Sequence, residues 1–146
     1  MKIAIINGPN LNLLGKRENT IYGAQTFEEY FELLQKSYAT IHFKAFQSNI
    51  EGELINFIQQ SDAAFDGVIL NAAAYTHTSV GMGDAIRAID TPVVEVHISN
   101  TLAREDFRHK SYITPYVKGL IVGFGIDVYR LAVESFLLES HSPNLS

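Results

Sequence analysis

Five short apolar runs, Ile3–Ile6, Ile41–Phe46, Gly67–Leu70, Val93–Val96 and Gly119–Val122, punctuate the chain at intervals too long for hairpins. Runs of this length, rich in β-branched residues, read as buried strands. Helical spacing fills the gaps between them: Phe27-Tyr30-Phe31-Leu34, Leu54-Ile55-Ile58, a stretch from about Ser79 to Ile89 that stops before Thr91-Pro92, and Val128-Leu131-Ala132-Ser135-Phe136. Thr26 with Glu29 three residues on forms a capping box at the first of these. The expected alternation is βαβαβαβαβ, a parallel sheet with helices on both faces. Its size suits a flavodoxin-like, doubly wound five-stranded sheet of order 2-1-3-4-5, whose ligands bind beyond the carboxyl ends of the strands.

Polar residues gather where that architecture puts chemistry: Asn7-Gly8-Pro9-Asn10 after the first strand, Asn71 after the third, and His97-Ile98-Ser99-Asn100 after the fourth. A sheet of hydrophobic strands needs no such gathering for stability. The 146 residues suffice for one core, so a single domain is expected over residues 1–139, with residues 140–146 a disordered tail. Eleven Lys and Arg against sixteen Asp and Glu give a net charge of −5, which speaks against a sequence-independent grip on nucleic acid or an anionic membrane. Without cysteine there is no disulfide framework, thiolate zinc site or thiol nucleophile. The apolar start Met1–Asn7 is too short for a signal peptide or a membrane span, and a soluble cytoplasmic protein is expected.

Several familiar motifs fail on spacing. Gly8 to Gly15-Lys16-Arg17 has six residues between its glycines where a phosphate loop has four, and Arg17 stands in place of the magnesium-binding Ser or Thr. Gly123-Phe-Gly125 follows the last strand rather than the first, and Val128 occupies the third glycine position of a dinucleotide fingerprint. His77, His97, His109 and Glu95 lack the i, i+4 spacing that aims two imidazoles at one metal ion. Neither Ser79 nor Ser99 lies in the Gly-x-Ser-x-Gly elbow of a serine hydrolase.

Two pairs carry more weight. Arg17 and Tyr22 sit in a βα connection, Gly8–Ala24, much longer than the usual two to six residues. A tyrosine titrating near ~10 needs its phenolate favoured to act as a base, at about 1.4 kcal/mol per unit. A guanidinium at ~4 Å offers roughly 4 kcal/mol at an effective dielectric of ~20. The plainer reading, an exposed arginine and a tyrosine packed on the sheet end, stands beside it. Glu95 and His97, two apart on one strand, face the same way. A carboxylate beside an imidazole fixes its tautomer and favours the proton-bearing form, as a general acid requires; the alternative is a structural ion pair. Asn71 can donate to and accept from a hydroxylated ligand or simply form a turn, and His77 lies in a Thr-His-Thr-Ser run suited to capping. Arg104, Arg108, His109 and Lys110 form a positive cluster that fits either a solvated helix end or anion recognition.

Six blocks, in order, resemble the type II 3-dehydroquinate dehydratases over almost the whole chain. They are Asn7-Gly-Pro-Asn-Leu-Asn-Leu-Leu-Gly-Lys-Arg-Glu18, Ile21-Tyr-Gly23, Asn71-Ala-Ala-Ala-Tyr-Thr-His-Thr-Ser79, Glu95-Val-His-Ile-Ser-Asn100, Arg104-Glu-Asp-Phe-Arg-His109 and Gly119-Leu-Ile-Val-Gly-Phe-Gly125. The resemblance implies conversion of 3-dehydroquinate to 3-dehydroshikimate in the shikimate pathway, an anti elimination through an enolate with no cofactor, metal or Schiff base. It implies Tyr22 as the phenolate base sustained by Arg17, Asn10 as the holder of a water against the enolate oxygen, and His97, oriented by Glu95, as the acid for the departing hydroxyl. Ile98 and Ser99 would bind the substrate carboxylate, and Asn71, His77 and Arg108 its hydroxyls. It further implies that Asp84 reaches a neighbouring subunit's site within a homododecamer built as four trimers. A binding module of the same fold would keep the pocket without turnover.

The chain departs from that family's pattern in two places. Gly81-Met82-Gly83 replaces the usual Ala-Leu/Ile-Arg, which is expected to loosen the helix start by roughly 1 kcal/mol per glycine. Asn19-Thr20 replaces the common Pro-Glu in the long loop, where stiffness is expected to differ.

Overall fold

The computed structural model describes residues 1–16 and 25–139. Arg17, Tyr22, the Asn19-Thr20 substitution and the tail 140–146 lie outside the described residues. Five parallel strands, β1 (Lys2–Asn7), β2 (His42–Gln47), β3 (Gly67–Asn71), β4 (Val93–His97) and β5 (Gly119–Val122), form one sheet of order β2-β1-β3-β4-β5. Among the described residues four α-helices cover it: α1 (Phe27–Ser37), α2 (Glu51–Ser61), α3 (Val80–Ala88) and α4 (Val128–Glu139). This is the flavodoxin-like, doubly wound architecture expected from the strand pattern.

Register decides what each face carries. Ile5 pairs with Ile69 and Asn7 with Asn71 across β1 and β3, while Ile69 pairs with Val94 across β3 and β4. Because side chains alternate along a strand, Ile3, Ile5, Ile69, Val94 and Val96 all face α1 and α4. Ala4, Ile6, Val68, Leu70 and Val93 face α2 and α3. Each wholly buried Ile or Leu contributes roughly 1.5–3 kcal/mol of transfer free energy, so these two layers supply most of the driving force.

The helices begin where their caps dictate. Thr26 Oγ1 accepts the Glu29 N–H at 3.2 Å, and Glu28 and Glu29 lie favourably at the positive end of the α1 dipole. The helix then buries Phe27, Tyr30 and Leu34, one face at helical spacing. Ser79 Oγ accepts the Met82 N–H at 3.0 Å to start α3.

Two expectations change. The terminal strands in the sheet order, β2 and β5, are partly exposed rather than fully buried, with Leu120 46% exposed, because an edge strand lacks a neighbour on one side. The strict helix–strand alternation also breaks after β4. That connection holds only 3-10 turns, at Thr101–Ala103, Asp106–His109 and Thr114–Tyr116, and the last helix follows β5 instead. Asn100 caps the first turn through Leu102, and Pro115 stands in the third, so local side-chain bonding and a missing backbone donor prevail over helix propagation.

Gly83 has a use that helix propensity conceals. A Cβ there would collide with the Tyr112 carbonyl oxygen and touch the Tyr116 ring. The glycine lets α3 seat directly on the backbone of the connection between β4 and β5.

Candidate active site

A cavity of about 280 Å³ opens beyond the carboxyl ends of β1, β3 and β4. It gathers Asn10, Asn71, His77, His97, Ile98, Ser99 and Arg108, seven of the eleven site residues expected from sequence. Glu95 lies beneath it, wholly buried. Asp84 is on the exposed side of α3, away from the cavity lining, where it pairs with Arg87 at 3.9 Å and its side chain is 65% exposed. Arg17 and Tyr22 belong to residues 17–24, outside those described.

The floor of the cavity at β4 is charged. Glu95 Oε2 accepts from His97 Nε2 at 2.6 Å and from Thr76 Oγ1 at 2.7 Å, while Oε1 accepts from Thr114 Oγ1 at 2.6 Å. Burial alone would raise the Glu95 pKa, but the bonds from His97, Thr114 and Thr76 outweigh it and hold the carboxyl below its ordinary value. The buried carboxylate therefore takes the Nε2 proton of His97, and Nδ1 has no hydrogen-bond partner among the described residues. Nδ1 is thus the ring nitrogen left for a ligand. A proton on it, with Nε2–H held by Glu95, makes an acid aimed at the cavity.

The floor at β1 and β3 is neutral. Tyr129, wholly buried on α4, donates to Asn7 Oδ1 at 2.6 Å and accepts from Asn71 Nδ2 at 3.1 Å. Asn71 Oδ1 accepts the Ala73 N–H at 3.1 Å, which supports Ala73 at φ 52°, a strained value for a residue with a Cβ. Both ends of the Asn71 amide are assigned by these partners, so its second Nδ2 hydrogen is the one available to a ligand.

The walls are polar and partly cationic. His77 Nδ1 donates to the Lys110 carbonyl at 2.7 Å, since a carbonyl can only accept, and Nε2 remains for other contacts. Asn10 adopts the left-handed conformation, φ 69°, with its N–H bonded to Asn49 Oδ1 at 3.0 Å. The N–H groups of Ile98 and Ser99 make no backbone bond among the described residues, whereas the Ile98 carbonyl is taken by Gly125 N–H at 3.0 Å. Gly123 and Gly125, both at positive φ, serve this return of the backbone beside Ile98 rather than a dinucleotide. Arg108 is steadied by Glu105 at 2.7 Å and by the Phe107 ring at 4.8 Å. The bond from Arg108 in turn holds the Glu105 carboxyl below its ordinary value.

Arg104 also lines the cavity, with Nη1 donating to Ser99 Oγ at 3.4 Å. Sequence reasoning placed it in a positive cluster without assigning it to the site; the signal was its spacing, four residues before Arg108. Ser79 is taken up as a helix cap, which leaves it no part as a nucleophile. No group of three or more metal-ligating side chains occurs among the described residues, and no described helix is long and apolar enough to cross a membrane.

Such a molecule is a doubly wound α/β protein with a polar cavity at the strand ends, where an imidazole backed by a buried carboxylate shares the lining with amides and guanidinium groups. The family described as dehydroquinase class II matches residues 1–137, and the chain belongs to that family. The 3-dehydroquinate dehydratase of Prochlorococcus marinus (strain NATL1A) is 49% identical over 139 residues, spanning 94% of this chain and 96% of the relative. That of Campylobacter lari (strain RM2100) is 50% identical over 135 residues, 91% of this chain and 84% of the relative. Among solved structures, the type II dehydroquinase of Butyrivibrio crossotus DSM 2876 superposes with a TM-score of 0.90 at 40% identity, covering 94% of this chain and 97% of that one. The type II dehydroquinase of Propionibacterium acnes gives 0.89 at 34% identity, with 94% and 96% covered.

Proposed function

We propose that this chain dehydrates 3-dehydroquinate to 3-dehydroshikimate and water by anti elimination, as a step in the shikimate pathway. The observation that carries the reading is the Glu95–His97 pair, which turns Nδ1 of a carboxylate-backed imidazole into the cavity of a class II dehydroquinase. Tyr22, as phenolate beside Arg17, takes the proton from the carbon next to the ketone. The electron pair moves into the enolate, whose oxygen is met by a water held by Asn10, a fixed dipole placed where charge develops. When the enolate collapses, the carbon–oxygen bond breaks and the hydroxyl leaves with the His97 Nδ1 proton as water. The net proton transfer runs from substrate carbon to Tyr22 and from His97 to the leaving oxygen. This chemistry needs no cofactor, metal or Schiff base.

The N–H groups of Ile98 and Ser99, which have no backbone partner among the described residues, suit the substrate carboxylate together with Arg104 beside Ser99. Asn71, His77 and Arg108 suit its hydroxyls. The exposed Asp84 is left to serve a neighbouring subunit, within a single-domain protomer that assembles as trimers and then as a cytoplasmic dodecamer. A lone 16.3 kDa species in solution would contradict that assembly.

The test is the absorbance of the conjugated enone product when purified protein meets 3-dehydroquinate. Product formation that collapses in Tyr22→Phe and His97→Ala supports the reading. Binding of 3-dehydroquinate without product would replace it with a binding module.

A further inference from the structure

Two segments meet at Glu95: the turn after β3 supplies Thr76, and the connection between β4 and β5 supplies Thr114 and, through Thr76, Ser111. A carboxylate with no exposed surface is tolerated only if donors meet its lone pairs. Thr76 and Thr114 each have a single hydroxyl proton, and each gives it to Glu95. The 2.5 Å contact between Thr76 Oγ1 and Ser111 Oγ can then run only one way, from Ser111 to Thr76. Ser111 Oγ itself accepts the N–H groups of Ile113 and Thr114, both at 3.0 Å. Every proton along this path has a fixed direction, from backbone to Ser111, to Thr76, to Glu95.

The consequence reaches His97. Both threonine hydroxyls donate to the buried carboxyl, and together with the His97 contact they favour its ionised form, which can only accept. Its one remaining partner must be Nε2–H. The Tyr112 N–H bond to the Thr76 carbonyl, 2.8 Å, locks the two contributing segments together.

We infer that Thr76, Thr114 and Ser111 are positioning residues for the acid, holding Glu95 as a pure acceptor so that His97 keeps Nε2 inward and Nδ1 toward the cavity. This rests on the proposed role of His97 as the general acid. None of the three hydroxyls is asked to touch the substrate.

The experiment compares Thr76→Val and Thr114→Val, which keep shape and remove the hydroxyl, with Thr76→Ser and Thr114→Ser, which restore it. The readouts are kcat and KM with 3-dehydroquinate, and ¹⁵N NMR of the His97 imidazole. The valine variants should lose about tenfold in kcat with KM changed less than about twofold, and the serine variants should return to within about twofold of the parent. The neutral His97 ring should be the Nε2–H tautomer in the parent and a mixture in the valine variants. Unchanged kcat in the valine variants, or serine variants as slow as valine, overturns the inference. If the parent shows no turnover, the functional reading fails separately, and the spectra still decide positioning: identical tautomers in parent and valine variants overturn it. Should the valine variants fail to fold, a parent His97 in the Nδ1–H form overturns it alone, and a parent in the Nε2–H form with rapid serine variants sustains it.

Discussion

The cavity floor is made by two buried polar networks on opposite faces of the same sheet. On the face toward α1 and α4, Asn7, Tyr129 and Asn71 form a neutral chain; on the face toward α2 and α3, Ser111, Thr76, Thr114 and His97 surround an ionised Glu95. The neutral chain fixes an amide and gives it no means of changing charge. The charged one fixes an imidazole that can. Burial raises the Tyr129 pKa, against the opposing effect of the Asn71 bond, so its hydroxyl stays protonated. Hydrogen bonding does the reverse for Glu95. On the proposed function, one sheet thus separates the amide that would recognise substrate from the imidazole that would react, and strand register assigns the faces.

The most damaging way to break this contrast is Glu95→Gln. Its amide would point donors at donors, and steady-state kinetics should show kcat lower by about 100-fold, the usual size of a general-acid contribution. Chemical denaturation should show about 3 kcal/mol lost as well, because a buried charged partner is removed. Tyr129→Phe strikes the neutral side. Asn7 and Asn71 lose their shared partner, so urea unfolding should register about 1–3 kcal/mol of destabilisation, while KM rises and kcat moves only a few-fold. Equal loss of kcat in both variants would erase the division between recognition and reaction.

Gly83→Ala comes next in size. Helix propensity alone favours alanine by about 1 kcal/mol, but contact with the Tyr112 carbonyl should reverse the sign and leave a net loss of about 1–2 kcal/mol in thermal unfolding. A stabilised variant would show that α3 does not need its close seat.

The smallest effects lie in the pH dependence of stability, where the networks should fail at opposite ends. Glu95 has a depressed folded pKa, so its contribution is present above the ordinary value of 4.5 and is lost as pH falls through the depressed value. Burial and neighbouring carboxylates push Tyr30 and Tyr38 up to about 12, and burial raises Tyr129. Their contribution is present below 10 and is lost as pH climbs toward and past 12. Denaturation midpoints measured across pH should lose the acid limb in Glu95→Gln and part of the alkaline limb in Tyr129→Phe.

Much of this was legible in the chain because periodicity is local. The apolar runs around Ile5, Ile69 and Val94 located their strands, Thr26 and Glu29 marked a helix start, and the two-residue spacing of Glu95 and His97 put both on one face. The supporting groups were not legible. Tyr129 meets Asn7 across 122 residues, and Thr114 meets Glu95 across 19 with two 3-10 turns between, contacts that no spacing rule encodes. Gly83 misled for a related reason: helix propensity describes an isolated helix, whereas this glycine answers to the chain packed against it.

That packing ties distant positions into one mechanical unit. Tyr112, whose carbonyl abuts Gly83, sits between Ser111, which feeds the hydroxyl path to Glu95, and Ile113 in the core. Any side chain at position 83 would push on this turn before it touched anything in the cavity. The contact face of α3 is therefore coupled to the geometry of an imidazole across the connection.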